Sequence, residues 1–120
     1  MTERPRILVV EDETMLIEVV AAELEEAGYE VVTALTGEAA AAILAARLPI
    51  DLLFTDIRLP GDLDGWAVAE HARALQPGLP VIYVTGYSAE EPRQVPDSLL
   101  VMKPYRPSAI VQAARRLGVG

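Results

Sequence analysis

Polar residues far apart in the chain each close a short apolar run. Glu11 and Asp12 follow Ile7-Leu8-Val9-Val10, Asp56 follows Leu52-Leu53-Phe54-Thr55, Thr85 follows Val81-Ile82-Tyr83-Val84, and Lys103 follows Leu99-Leu100-Val101-Met102. Runs of this kind read as strands buried on both faces, and an open parallel sheet keeps its chemistry at the carboxyl ends of its strands. Singly, each residue has an ordinary structural reading: a helix cap, a turn, a strand-end hydroxyl, a solvated lysine. Gathered at one sheet edge, they make a site. Crowded carboxylates repel, and two unit charges about 4 Å apart cost roughly 4 kcal/mol at an effective dielectric near 20. Either a pKa rises or a cation compensates. Oxygen ligands without His or Cys suit Mg²⁺. With a hydroxyl and an ammonium opposite, the set is equipped for phosphoryl transfer. Asp56 would attack in line, Lys103 and Mg²⁺ would neutralise the phosphoryl oxygens, and Thr85 would donate a hydrogen bond to one of them. The product is an aspartyl phosphate.

The elements that must position these residues follow from periodicity. Arg6–Val10 reads as the first strand. A helix follows, with Leu16, Val19, Val20, Leu24 and Ala27 on its buried face and Gly28 ending it. Tyr29–Leu35 is the second strand. Thr36 is the candidate N-cap of an Ala-rich helix from Glu38 to about Arg47, which buries Ile43 and Leu44. Pro49 and Pro60 bound the central strand that ends at Asp56. Gly65–Leu75 reads as a helix with Val68, Ala69 and Ala72 inward and Trp66 capping its start. Pro80–Thr85 and Ser98–Met102 are the fourth and fifth strands. Between them, Pro92 and Pro96 leave room only for a short or irregular fourth helix. Pro107 opens the last helix, burying Ile110, Ala114 and Leu117, with Arg115 and Arg116 complementing its dipole. Alternation of this kind implies right-handed crossovers. The expected fold is a flavodoxin-like (βα)5 α/β domain with a parallel sheet ordered 2-1-3-4-5 and about five helices.

The bulk composition excludes several classes. The 120 residues suit one domain, expected to span 1–120, and 52% hydrophobic with 23% charged residues is a globular composition. There is no cysteine, hence no disulfide or thiolate metal site, and no apolar stretch of membrane-spanning length. The polar start is not a signal peptide, so a cytoplasmic location is expected. A net charge of -8 argues against nucleic-acid binding.

With these residues in place, the sequence resembles the receiver domain of bacterial two-component response regulators over essentially its whole length. The matching pieces are Ile7–Glu13, Asp56-Ile57-Arg58-Leu59-Pro60, Asp64-Gly65, Val84-Thr85-Gly86 and Lys103-Pro104-Tyr105. The resemblance implies that Asp56 takes phosphate from a histidine kinase or a histidine phosphotransfer protein and signals through changed protein contacts. It implies Mg²⁺ held by Glu11, Asp12, Asp56 and the backbone carbonyl of Arg58. It implies phosphoryl contacts from Thr85 and Lys103, a cis Lys103-Pro104 bond, a downstream protein target and no turnover of an external substrate.

Departures from the usual receiver are specific. Four residues, Gly61-Asp62-Leu63-Asp64, separate Pro60 from Gly65 where three are usual. Leu100 stands three before Lys103, where an aromatic ring normally switches. With Pro80–Tyr87, these features resemble a subgroup whose fourth strand carries a Phe-Ala-Thr-Gly-type motif; its members are often stand-alone receivers and many pair with HWE-type kinases. Without that ring, phosphorylation is expected to order Gly86–Ser98, and Arg58 and Tyr87 to shield the phosphate from water. His71 reads as a surface helix residue, and Tyr105 either packs against the last helix or joins an output face. The competing class is a Mg²⁺-dependent phosphatase or hydrolase with an aspartate nucleophile. The haloacid-dehalogenase type of that class expects an aspartate where Arg58 stands. A dinucleotide site is disfavoured because Glu11-Asp12 replaces a Gly-rich turn. A receiver that only docks is disfavoured by the complete polar set. Output is expected through docking surfaces or an effector outside this sequence.

Overall fold

A computed structural model describes residues 4–86 and 93–120. The apolar runs form five strands: β1 (Arg6–Val10), β2 (Glu30–Ala34), β3 (Leu52–Asp56), β4 (Val81–Thr85) and β5 (Leu99–Met102). All pair in parallel in the order β2-β1-β3-β4-β5. Four helices connect or follow them among the described residues: α1 (Thr14–Glu26), α2 (Gly37–Ala45), α3 (Gly65–Leu75) and α4 (Pro107–Arg116). Residues 93–98 carry no helix. The rest of the expected irregular fourth helix, and Tyr87, lie outside the described residues, as do residues 87–92 of the segment expected to order on phosphorylation.

Period-two alternation divides the core in two. Leu8, Val10, Leu53, Val81 and Tyr83 face α2 and α3, while Ile7, Val9, Leu52, Phe54, Ile82 and Val84 face α1 and α4. Every residue of β3 and β4 is buried, as strands covered on both sides must be.

Two details differ from the helical reading. The inward stripe of α1 is Ile17, Val20 and Leu24, whereas Val19 is 54% exposed. Val19 lies about 100° around the helix from Val20, and that rotation carries it out of the stripe. Trp66 does not cap α3. Asp64 does, its Oδ1 accepting from the Ala67 N–H at 2.9 Å, because a cap needs an acceptor oxygen. Trp66 is instead buried against Tyr83, with ring centroids 4.7 Å apart. Thr36 caps α2 as expected, accepting from the Ala39 N–H at 3.0 Å.

Candidate functional site

Strand register brings the polar residues together. Val10 of β1 pairs with Thr55, and Asp56 pairs with Val84, so Glu11, Asp56 and Thr85 end adjacent strands. The ladder continues past the strands: the Glu11 N–H donates to the Ala34 carbonyl at 3.1 Å, and the Lys103 N–H to the Thr85 carbonyl at 2.8 Å. Lys103-Pro104 is a cis peptide bond. Gly65, at the start of α3, packs so closely on the Asp56 carbonyl that no Cβ would fit.

The side chains converge on the same edge. Lys103 Nζ lies 2.7 Å from Asp56 Oδ2 and 3.5 Å from Glu11 Oε1. Glu11, Asp12 and Asp56 each offer a carboxylate oxygen, and these oxygens lie within 4.8 Å of one another. Glu11, Asp56 and Thr85 are buried, while Asp12 is exposed. Arg58, two residues past Asp56, is exposed at the start of the β3–α3 loop.

Electrostatics register the crowding. Burial pushes the Glu11 carboxyl up to about 7; the Glu13 N–H it accepts at 3.1 Å opposes this, and the nearby Asp56 charge adds to it. Burial works against the Lys103 charge, but the hydrogen bond and charge of Asp56, with the charge of Glu11, outweigh it and hold the ammonium above its usual range. The residues present fit a hard divalent cation. A buried acid that resists ionising beside two further carboxylates is the conflict that such an ion removes.

Other polar placements were not legible in the sequence. Tyr83 is fully buried, and its hydroxyl accepts the Val95 N–H at 3.0 Å. Glu38 accepts from two N–H groups of the β3–α3 loop. Tyr105 packs edge-on against Phe54 at 6.1 Å, and its buried hydroxyl has no hydrogen-bond partner. Burial and then the Glu11 charge push that phenol up to about 12. Leu100 is exposed on β5, and His71 lies exposed on α3 as the sequence reading expects.

The chain is also similar to known proteins. The sequence matches the family model of the response regulator receiver domain over residues 7–115. It is 37% identical over 121 residues to the transcriptional regulatory protein AruR of Pseudomonas aeruginosa, covering 94% of this chain and 49% of AruR. It is 32% identical over 120 residues to the C4-dicarboxylate transport transcriptional regulatory protein DctD of Rhizobium meliloti, covering 97% of this chain and 26% of DctD. The chain thus spans half or less of these relatives. Among solved structures, a response regulator receiver protein from Sinorhizobium medicae superposes with a TM-score of 0.91 at 34% identity, covering 96% of this chain and 94% of that one. The response regulator TrrA of Thermotoga maritima, solved in complex with Mg(2+)-BeF, gives 0.83 at 32% identity, covering 94% and 98%. No helix among the described residues is long and apolar enough to cross a membrane. In sequence and in fold, this chain belongs to the response regulator receiver family.

Proposed function

We propose that Asp56 is the phosphoacceptor of this receiver and that residues 1–120 act as one phosphorylation-controlled switch. The observation that carries the reading is the convergence on Asp56: Lys103 Nζ at 2.7 Å, with Glu11 and Asp12 gathered beside it. An Asp56 carboxylate oxygen attacks the phosphorus of a phosphohistidine, the P–N bond breaks, and the imidazole leaves with its electron pair. Lys103 swings its ammonium from Asp56 towards the incoming phosphoryl oxygens. Thr85, at the end of the neighbouring strand, donates its hydroxyl to one of them.

Glu11, Asp12, Asp56 and the Arg58 carbonyl would hold Mg²⁺. When bound, that ion supplies positive charge to the phosphoryl oxygens and to the carboxylates. The donor is a sensor histidine kinase or a histidine phosphotransfer protein, and the output is altered contact with a downstream protein. Exposed Leu100 in the aromatic switch position, together with the Pro80–Thr85 strand, supports the Phe-Ala-Thr-Gly-type subgroup and an HWE-type kinase as donor. The chain promotes its own phosphorylation and turns over no external substrate.

The test is incubation with acetyl phosphate and MgCl₂ followed by intact mass. Wild type should gain one phosphoryl group and Asp56→Asn none. An adduct that survives in Asp56→Asn, or turnover of a generic phosphate ester, would overturn the reading.

A further inference from the structure

The β3–α3 loop, residues 57–64, leaves and rejoins the body of the protein at a pinched neck. There the Gly65 N–H donates to the Ile57 carbonyl at 2.7 Å. A second fastener sits at its tip. Glu38, in the first turn of α2, accepts with one oxygen, Oε2, from the Asp62 N–H at 2.8 Å and the Leu63 N–H at 3.2 Å.

Two glycines let the loop and the helix approach. Gly61 holds φ at +90°, and a Cβ there would stand 2.7 Å from Glu38 Oε1. A Cβ on Gly37 would collide with the Leu63 carbonyl. The Glu38 carboxyl is held below its usual range, first by the Asp62 N–H and then by its own and that of Leu63. Glu38 is not part of a capping box, because that role falls to the residue three after the cap, which here is Ala39. Its carboxylate is therefore available to a neighbouring segment.

We propose that Glu38 is a positioning residue for the metal site, clasping the tip of the lengthened β3–α3 loop so that the Arg58 carbonyl is held in place. Arg58, Leu59 and Pro60 lie between the two fasteners. With neck and tip both closed, those residues span two fixed points. With the tip released, one of those two points is lost. The four residues between Pro60 and Gly65 give this loop more freedom than the shorter receiver loop, and the clasp removes it. The inference rests on the assignment of the Arg58 carbonyl as a ligand.

The test uses the full chain, titrated with MgCl₂ by calorimetry, with amide hydrogen exchange read at Asp62 and Leu63 and melting recorded alongside. Glu38→Ala should weaken Mg²⁺ binding about tenfold, the scale of an outer partner of a metal ligand, and speed exchange at both amides. Glu38→Gln keeps an acceptor oxygen and should bind within about a factor of two of wild type. Gly61→Ala attacks the clasp from the loop side and should repeat the Glu38→Ala result, which covers the case of a poorly folded Glu38→Ala. Wild-type Mg²⁺ affinity with accelerated exchange, in whichever of the two variants folds, would overturn the proposal. So would equal weakening in Glu38→Gln and Glu38→Ala. Failure of wild type to bind Mg²⁺ at all would instead sink the metal reading, and this proposal with it.

Discussion

At each end of the sheet a cation meets carboxylates, and the two ends resolve the charges differently. At the amino end, Arg6 Nη2 lies 3.0 Å from Glu30 Oε1, Nη1 donates to the Pro49 carbonyl at 3.0 Å, and the Arg6 N–H donates to Asp51 at 2.7 Å. Glu30 and Asp51 are exposed there. At the carboxyl end, Lys103 faces two buried carboxylates, Asp56 at 2.7 Å and Glu11 at the longer 3.5 Å. At one end a half-buried cation meets acids that solvent reaches. The other gathers buried carboxylates around one ammonium, and a cation bound among them would relieve their repulsion. A buried charge left without full compensation is unfavourable for folding, so this arrangement marks chemistry rather than stability.

The largest effect should come from exchanging the two cations for neutral side chains of similar length. Lys103→Met should slow adduct formation with acetyl phosphate by about a hundredfold, the usual loss when a transition-state charge partner is removed. Arg6→Met should leave that rate unchanged. Time-resolved intact mass on both variants makes the comparison. Equal rates for Lys103→Met and wild type would erase the distinction between the ends.

The next effect is on stability and depends on pH. The Glu11 carboxyl has an ordinary pKa of 4.5 and reaches about 7 in the folded chain. Between those values the folded state holds a proton that the unfolded state has lost. Without metal, stability should therefore fall as pH rises from about 4.5 to about 7, by at most about 3 kcal/mol, and then level off. Glu11→Gln should flatten that slope. Saturating MgCl₂ should flatten it as well, because a bound cation favours the ionised acid. Urea midpoints at pH 5 and pH 7.5, with and without MgCl₂, decide the matter. A rise in metal-free stability over that window would show that Glu11 is not in conflict with its surroundings.

How much of this the sequence carried depended on whether the contacts were local. Asp56, Thr85 and Lys103 were legible because each ends an uninterrupted apolar run, and parallel strands must put such ends at one edge. The inward face of α3 was legible because Val68, Ala69 and Ala72 repeat at helical spacing. Val19 misled, since on an apolar helix any one of several stripes satisfies the same periodicity. Trp66 misled because its proximity to the helix start was visible, and its neighbour Tyr83, 17 positions away (83 - 66), was not. The Glu38 contact with Asp62 joins residues 24 apart, and no periodicity encodes it. The extra loop residue was the sole sign that something there needed fastening.

Tyr83 separates burial from conflict. Its hydroxyl lies in the core but is paired with the Val95 N–H. Tyr83→Phe should destabilise by about 1–2 kcal/mol, because a buried N–H loses its acceptor. The loss should be the same at pH 5 and pH 7.5 and indifferent to MgCl₂. A Mg²⁺-dependent change would mean that β4 communicates with the acidic edge through this bond.

The smallest effect belongs to the amino end and completes the contrast. Glu30→Gln removes the charge opposite Arg6 and keeps an acceptor oxygen. Glu30 is exposed and Arg6 half-buried, with side-chain accessibilities of 50% and 24%, so solvent screens much of their attraction. Stability should change by less than about 0.5 kcal/mol, and 1 M salt should shrink even that. The slope between pH 4.5 and 7 should match that of wild type, since Glu11 and not Glu30 carries the displaced proton. Urea midpoints for Glu30→Gln and Glu11→Gln, measured side by side, give the comparison directly. If the Glu30 variant flattened the pH slope as much as the Glu11 variant, the two ends of the sheet would be electrostatically alike. The acidic edge would then need no ion to explain it.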